Sequence, residues 1–283
     1  MLPFPPYTYG NPAAMGKGFV GALDGLTTNA WGMWSQHRRL LSSYTGAIKR
    51  VRESSGSTEA NISPLASGEI DTATMEAFCG SGDGFNRTLL AQYGANDLVQ
   101  TSASQQPRVV ASGTAEVNAA GHPTARWDNS NDVLHASISP ALTEATFVVS
   151  AKLTAVGFYD MLAVFRSSEI ELREVGNLDA SQFQVNISGD AVTAGGSPAM
   201  TSWHVYSFNI SSTTGAAQFW IDGTSIGTLS GKTIPTLTDL FLGARDAAGS
   251  YCFNGCISEA ALFSPIIGTT QRQAVEAAFL AVL

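Results

Sequence analysis

The sequence predicts a mainly β fold, a two-sheet sandwich, and three observations lead to this prediction. After residue 107 the chain contains many short β-branched or aromatic segments separated by Gly, Ser, Thr, Asp or Asn. These turn signals recur at intervals of roughly 8–15 residues, a spacing typical of sandwiches rather than of alternating α/β folds. Hydrophobic residues make up 44% of the 283 residues, which is enough for a large core and excludes disorder of the whole chain.

The strand-rich part is predicted over residues 111–283. The strands are expected at residues 146–152, 161–165, 183–187, 204–210, 218–221 and 240–243. Asp222-Gly223 is a hairpin turn signal between two strand segments. Apolar residues at helical spacing over 269–283 predict a closing helix.

Residues 23–110 are predicted to be rich in helix and loop. A helix is expected over residues 28–44, because Trp31 and Trp34 recur at a spacing of three and a glycine follows the segment. A second short helix is expected over residues 71–78, with an Asp or Thr cap at its start and a glycine just past its end.

Residues 1–22 form the most unusual segment in composition. They are rich in Pro, Gly and aromatic residues and follow neither the helical nor the strand period. We expect an extended arm that aromatic rings anchor to another protein, because these rings would gain no burial in a tail surrounded by solvent. The rings are those of Phe4, Tyr7, Tyr9 and Phe19. A flexible tail is the alternative.

The charge of the chain is acidic and uneven. The formal net charge is −8, and this balance argues against a nucleic-acid-binding surface, which needs clustered Lys and Arg. Residues 1–60 carry six basic and three acidic side chains, and the remainder carries −11. The only basic cluster is expected to pair with an acidic partner or with the acidic remainder; it consists of Arg38, Arg39, Lys49, Arg50 and Arg52.

Membrane insertion and secretion by a signal peptide are not expected. No apolar stretch approaches the roughly 18 residues that a membrane helix needs. Pro3, Pro5 and Pro6 interrupt the place where the apolar region of a signal peptide would lie. The sequence therefore predicts synthesis in the cytoplasm without a leader.

Cysteine and histidine spacing predicts neither a disulfide framework nor a zinc site. Three cysteines cannot form a complete set of disulfides, and we expect them to be small buried hydrophobic residues. The four histidines are scattered, with no H-x-H or H-E-x-x-H pattern, which predicts no metal and no cofactor.

Two series of segments resemble known families. Residues 203–208, 219–223, 242–244, 253–259 and 262–264 resemble, in order and spacing, the C-terminal half of concanavalin A-like, laminin-G-type sandwich domains. Residues 126–134 look like the opening strand and turn of the same family. This resemblance implies a concanavalin A-like (jelly-roll) sandwich, a fold that lectins, hydrolases and inert spacers all use.

The upstream segments resemble the N-terminal half of the catalytic domain of α-L-arabinofuranosidase B. They are residues 39–47, 62–68, 71–72, 77–79 and 96–100. That family also has a concanavalin A-like sandwich, so the two resemblances imply one domain over residues 23–283. Similar modules occur in proteins of tailed bacteriophages.

The resemblance also implies where a hydrolase would carry its carboxylates. The Leu-Gly-x-x-Asp segment at residues 242–246 resembles the one that holds the acid/base of the family, which implies that role for Asp246. The nucleophile of the family is a Glu in a Cys-Cys-Phe-Asp-Tyr-Gly segment. The corresponding place, residues 161–165, lacks the paired cysteines, and Glu169 lies near it. Because the catalytic motif has decayed in this way, we expect no enzymatic activity.

Ligand-binding candidates lie in two loops. Arg245 and Asp246 follow a strand, where sandwich domains often bind ligands, although an exposed salt-bridged pair is the alternative. Trp127 is a candidate for stacking on a sugar ring or for filling the space between the sheets. Asp128 extends this candidate surface.

The turn that follows Trp127 is crowded with side-chain oxygens. Asp128, Asn129, Asn131 and Asp132 suit Ca²⁺, but a turn whose side chains bond to its own backbone is the simpler interpretation. A further acidic run alternates with apolar residues, so its first two members, Glu169 and Glu171, are expected on the solvated face of a strand.

The function predicted from these observations is a structural or adhesive role in the virion of a tailed phage or phage-like particle. The arm would bind other virion proteins, and the lectin-like sandwich would face cell-surface polysaccharide as a homo-oligomer. A purely architectural cementing protein is a variant of this hypothesis. The alternative is a glycoside hydrolase of the α-L-arabinofuranosidase type.

Overall fold

The structure is a computed structural model that describes residues 19–154, 160–165, 170–174, 183–194 and 201–283. The strands of its first half are β1 (Ala30–Ser35), β2 (Lys49–Glu53), β3 (Glu59–Ile62), β4 (Gly84–Leu89), β5 (Leu98–Val99), β6 (Arg108–Ala111), β7 (Thr114–Ala115), β8 (Ala125–Asp128) and β9 (Leu134–Leu142). Those of its second half are β10 (Glu144–Leu153), β11 (Met161–Phe165), β12 (Ile170–Glu174), β13 (Phe183–Ile187), β14 (Asp190–Ala194), β15 (His204–Ser211), β16 (Ala216–Ile221), β17 (Thr224–Leu229), β18 (Leu237–Leu242) and β19 (Asn254–Phe263). The helices are α1 (Thr72–Cys79) and α2 (Thr269–Leu280).

Two antiparallel sheets form the sandwich, as predicted. Sheet I has the order β17–β16–β15–β10–β19, and β1 and β8 share the free edge of β19. Sheet II has the order β14–β13–β12–β11–β18–β9. A smaller group, β2, β3, β4, β6 and β7, pairs with sheet II through β5 and with sheet I through β8, so it closes one side of the sandwich.

Aromatic rings fill the space between the sheets. Phe147, Phe165 and Phe208 are at most 1% exposed, and their ring centroids lie 5.4 to 5.9 Å apart in edge-to-face contacts. Such pairs add about 0.5–1.5 kcal/mol to the burial of their apolar area. The core therefore joins β10 and β15 of sheet I to β11 of sheet II.

Helix α2 covers the outer face of sheet I. Its Val275 and Phe279 are fully buried in one cluster with Val148, Val205 and Ala261. This confirms the apolar period predicted near the end of the chain. With 12 residues α2 is the longer of the two described helices, and neither is long and apolar enough to cross a membrane.

Most of the predicted elements of the second half are confirmed within a few residues. The hairpin turn at Asp222 and Gly223 joins β16 to β17, and both residues have the positive φ that such a turn requires, 49° and 77°. Helix α1 is confirmed as well. Its cap is Asp71, whose carboxylate accepts a hydrogen bond from Thr74 N at 3.0 Å.

The helix predicted over residues 28–44 is wrong, because this segment contains strand β1. Spacing alone could not show this, since the pairing partner of β1 is β19, and the contact of Ser35 with Glu259 spans 224 residues. Residues 23–110 are accordingly not helix-rich: among their described residues, α1 is the single α-helix, and the other elements are β1 to β5, the start of β6 and a 3₁₀ turn at Ala103–Gln105. Long-range pairing here overrides local propensity.

The predicted arm is described only at its end. Phe4, Tyr7 and Tyr9 lie outside the described residues. The ring of Phe19 lies 4.0 Å from the guanidinium carbon of Arg39 and against Gly68, so it packs on the body of its own chain.

A buried ion pair ties the segment after β1 to sheet I. Arg38 Nε lies 2.7 Å from Glu259 Oε1, and Arg38 Nη2 lies 2.8 Å from Glu259 Oε2. The side chains are 8% and 0% exposed, and Ser35 Oγ donates to the same carboxylate. Part of the basic cluster thus pairs with the acidic remainder of its own chain.

We expect Arg38→Gln to lower the free energy of unfolding by about 3–5 kcal/mol, because it leaves the Glu259 charge buried and unpaired. The measurement is chemical denaturation. Arg50→Gln is the matched control, since the pair of Arg50 with Glu59 is long, 3.9 Å, and partly exposed; its loss should cost less than about 1 kcal/mol. Equal costs for the two substitutions would contradict the structural role of the buried pair.

Candidate active site

A row of side chains crosses the outer face of sheet II. Pairing aligns His135, Phe241, Val164, Glu171 and Asn186 on five adjacent strands. Because successive side chains of a strand point to opposite faces, this row faces away from the aromatic core. The row is apolar in the middle of the sheet and becomes polar on β12 and β13.

Glu171 is the buried charge of this row. It is 2% exposed, its Oε2 lies 2.5 Å from Arg173 Nη1, and its Oε1 lies 3.3 Å from Arg245 Nε. Arg173 also donates to Gln184 Oε1 at 2.7 and 3.0 Å. Burial raises the pKa of Glu171, and the two guanidinium groups oppose this effect. The prediction that Glu171 lies on a solvated face is therefore wrong.

The loop after β18 carries Arg245 and Asp246 to this face. Asp246 Oδ1 accepts hydrogen bonds from Ala248 N at 3.0 Å and Ser250 N at 3.2 Å, which fixes its carboxylate in the turn. The guanidinium of Arg245 reaches Glu171 and lies 5.2 Å from the ring of Tyr251. The structure thus brings together a loop and a strand whose contact the sequence did not show.

The turn after β8 packs against this loop. A Cβ on Gly249 would lie 2.3 Å from Asn131 O, so only glycine allows this approach. Within the turn, Ser130 N donates to Asp128 Oδ1 at 2.9 Å and Asp128 N donates to Asp132 Oδ2 at 3.1 Å. Both carboxylates thus bond to the backbone of their own turn.

The buried thiol of Cys252 lies in an acidic environment. Burial, with the charges of Asp132, Asp128, Asp246 and Asp160, raises the pKa of Cys252 to about 12. Burial and the neighbouring Asp128 also raise the pKa of Asp132 to about 8, so Asp132 carries a proton at neutral pH. Such perturbed groups are typical of functional sites.

Two cavities open beside these elements. One has a volume of about 310 Å³ and is lined in part by Gln100, Gln105 and His135. The other has a volume of about 390 Å³, and its lining includes Asp128 and Asp132. Both volumes fall in the range of small-molecule sites, about 300–1,000 Å³, and the lining offers hydrogen-bond partners for hydroxyl groups.

Two residues that the sequence predicted for this site, Trp127 and Glu169, are not part of it among the described residues. Trp127 has no exposed area and packs under Gly243, where a Cβ would lie 1.9 Å from its Nε1. It offers no ring face to a ligand in this structure. Glu169 lies outside the described residues. Sequence reasoning missed Arg173, although it lies two residues after Glu171 and the strand period places both on one face. It also missed Asn186, which only the pairing of β12 with β13 brings beside Glu171.

Solved arabinofuranosidases share this fold. A Glu-to-Gln mutant of a GH54 α-L-arabinofuranosidase, soaked with 4-nitrophenyl α-L-arabinofuranoside, matches with a TM-score of 0.73 at 13% identity over 92% of this chain and 64% of that chain. An arabinofuranosidase complexed with arabinofuranosyl-α-1,2-xylobiose matches with a TM-score of 0.70 at 14% identity over the same shares. The chain thus spans 64% of the length of these enzymes.

More distant matches have the same kind of sheet structure. The sialidase of Trypanosoma rangeli, in complex with the inhibitor DANA, has a TM-score of 0.50 at 11% identity over 67% of this chain and 30% of that chain. A scan of protein-family models and a search of curated proteins found no match.

These comparisons correct the predicted function. The prediction of a non-enzymatic virion protein is wrong: solved arabinofuranosidases match 92% of the chain with TM-scores of 0.70 and 0.73. The alternative that the sequence left open, a glycoside hydrolase, fits the matches better. The predicted homo-oligomer stays a prediction.

Asp132 makes the stability of the protein depend on pH. Its pKa is about 8 in the folded chain and 3.8 in a free side chain, so between these values the folded state holds a proton that the unfolded state has lost. Stability should therefore fall as the pH rises through this window and level off above about pH 8.

We expect Asp132→Asn to remove this loss of stability with rising pH. Since one pKa unit corresponds to about 1.4 kcal/mol, the wild type should lose at least about 1 kcal/mol more than the variant between pH 5 and pH 9. Urea denaturation of both proteins over this range provides the measurement. Parallel pH curves would show that Asp132 is not held protonated.

Proposed function

We propose that the chain is a glycoside hydrolase of the α-L-arabinofuranosidase type that acts on arabinofuranosyl groups of a polysaccharide. The observation that carries the proposal is the contact of Arg245 with Glu171, which joins the loop of Asp246 to a buried carboxylate on β12. The match to arabinofuranosidases over 92% of the chain supports it.

Glycoside hydrolysis needs two carboxyl groups with different tasks, and retaining enzymes hold them about 5–5.5 Å apart. We assign the nucleophile to Glu171, because Arg173 and Arg245 stabilise its ionised form. We assign the acid/base to Asp246, because two backbone N–H groups orient its carboxylate while its side chain stays partly exposed.

The reaction follows from these roles. The Glu171 carboxylate attacks the anomeric carbon while Asp246 transfers its proton to the leaving oxygen, which breaks the glycosidic bond and forms a glycosyl ester. Asp246 then removes a proton from water, the water oxygen attacks the anomeric carbon, and Glu171 leaves as a carboxylate. In this scheme the 310 Å³ cavity beside Ala247 binds sugar hydroxyls through Gln100, Gln105 and His135.

The test uses 4-nitrophenyl α-L-arabinofuranoside and the full chain. We expect turnover by the wild type, a loss of about 10²–10⁴-fold in kcat/KM for Asp246→Asn, and loss of activity for Glu171→Gln. Glu169→Gln is the matched control for the nucleophile Glu171, because it changes a neighbouring glutamate in the same way. Asp190→Asn, which removes an exposed carboxylate, should leave the activity unchanged.

Azide separates the two roles. It should restore activity to Asp246→Ala with retained configuration of the arabinosyl azide, and to Glu171→Ala with inverted configuration, since the added nucleophile replaces a different group in each case. Loss of activity in Glu169→Gln, with activity kept in Glu171→Gln, would transfer the nucleophile to Glu169. An inactive wild type on aryl arabinofuranosides and on arabinose-bearing polysaccharides would refute the proposed activity.

A further inference from the structure

A second cluster of titratable side chains lies away from the candidate active site. His37, Glu69 and His122 each place a possible ligand atom within 4.8 Å of the other two. The three residues come from separate parts of the chain: the segment between β1 and β2, the loop before α1 and the loop before β8. Spacing in the sequence could not reveal the cluster, because the fold alone brings these segments together.

His37 is the buried member of this cluster, and one of its ring nitrogens has no hydrogen-bond partner among the described residues. Its side chain is fully buried, and its Nδ1 lies 3.2 Å from Ser258 Oγ. In the described part of the chain, its Nε2 is a buried atom without a hydrogen-bond partner. Glu259 Oε1 is 3.6 Å from this nitrogen, which is too long for a hydrogen bond. A buried imidazole nitrogen without a hydrogen bond is costly, so a closer ligand would be favourable.

The other two residues lie at the mouth of the cluster. The His122 and Glu69 side chains are 29% and 39% exposed, and His122 Nδ1 lies 3.8 Å from Glu69 Oε2. The rings of His37 and His122 have centroids 5.0 Å apart. An ion could therefore enter from solvent and meet a nitrogen, a carboxylate oxygen and a second nitrogen.

We propose that His37, Glu69 and His122 bind one zinc ion. Two imidazoles and one carboxylate with an open fourth position are a ligand set that zinc uses, and imidazole ligands disfavour Ca²⁺ and Mg²⁺. Ligand atoms about 2.1 Å from a tetrahedral ion lie about 3.4 Å apart, so the three groups need to approach by little more than about 1 Å. Ser258 then orients the His37 ring, as outer partners of zinc-bound histidines do.

The charges around the cluster are compatible with a cation. Glu259 Oε1 lies 3.6 Å from His37 Nε2 and adds negative charge, while Arg38 is already paired with Glu259. Lys49 is fully buried on β2, and burial lowers its pKa to about 7, so part of its charge is lost at neutral pH.

Bound zinc would add a link between three segments. The segments of His37 and Glu69 already share backbone hydrogen bonds, from Ile70 N to His37 O at 2.6 Å and from Arg39 N to Gly68 O at 2.7 Å. The site does not depend on the proposed hydrolase activity, since it involves the segments after β1, before α1 and before β8, and none of the residues assigned to catalysis. Its effect would be on stability, because an ion that binds the folded chain alone shifts the unfolding equilibrium.

The experiment is isothermal titration of the metal-free full chain with ZnCl₂, together with thermal unfolding in zinc and in EDTA. We expect one zinc per chain and a melting temperature several degrees higher in zinc. His122→Ala and Glu69→Ala alter partly exposed side chains, so both variants should fold. Because each removes a ligand, they should weaken zinc binding at least about 100-fold and abolish the rise in melting temperature.

His135→Ala is the matched control. His135 is 30% exposed, as His122 is 29%, and it too faces a carboxylate, Asp239 at 3.0 Å. This variant should bind zinc as the wild type does. No binding by the wild type, equal binding by His122→Ala, or a stronger response to Ca²⁺ than to Zn²⁺ would each overturn the proposal.

Discussion

The buried ion pair between Arg38 and Glu259 is the interaction on which the arrangement of the chain depends. It fixes the segment after β1 to β19, the strand that β1, β8 and β10 all pair with. Because both charges are buried, the pair requires close contact between the two groups. If Arg38 were displaced, the Glu259 carboxylate would be left buried without a counter-charge. The neighbouring contact of His37 with Ser258 also joins the segment after β1 to β19. Through this pair the first and last thirds of the chain form one body.

The elements that the sequence could predict are those that local chemistry determines. Asp71 caps α1 and Phe279 belongs to an apolar period, and both signals lie within a few residues of the element they define. β1 could not be predicted in this way, because the backbone partners that make Trp34 part of a strand belong to β19. The burial of Glu171 could not be predicted for a related reason. Its alternation with apolar neighbours was visible, and Arg173 lies two residues away on the same strand, but Arg245 comes from a distant loop.

The two outer faces of the sandwich have different chemistry, although the sheets are built alike. Helix α2 covers much of sheet I with apolar contacts, so polar groups there must be paired internally. Sheet II has no such helix among the described residues, and a loop rich in small residues lies over it instead. A loop leaves cavities where a helix would fill them, which explains why the candidate site lies on this face.

The pairing of β1 with β19 has a consequence for the synthesis of the protein on the ribosome. Strand β1 emerges early, but its hydrogen-bonding partner is translated more than two hundred residues later. Gln92 N can reach Met33 O on one edge of β1 much sooner, but the edge that pairs with β19 stays exposed in the nascent chain until β19 is made. Long-range pairing of this kind folds slowly and favours association with other chains in the interval. The time between the synthesis of β1 and that of β19 is therefore the period in which this strand edge is open to other chains.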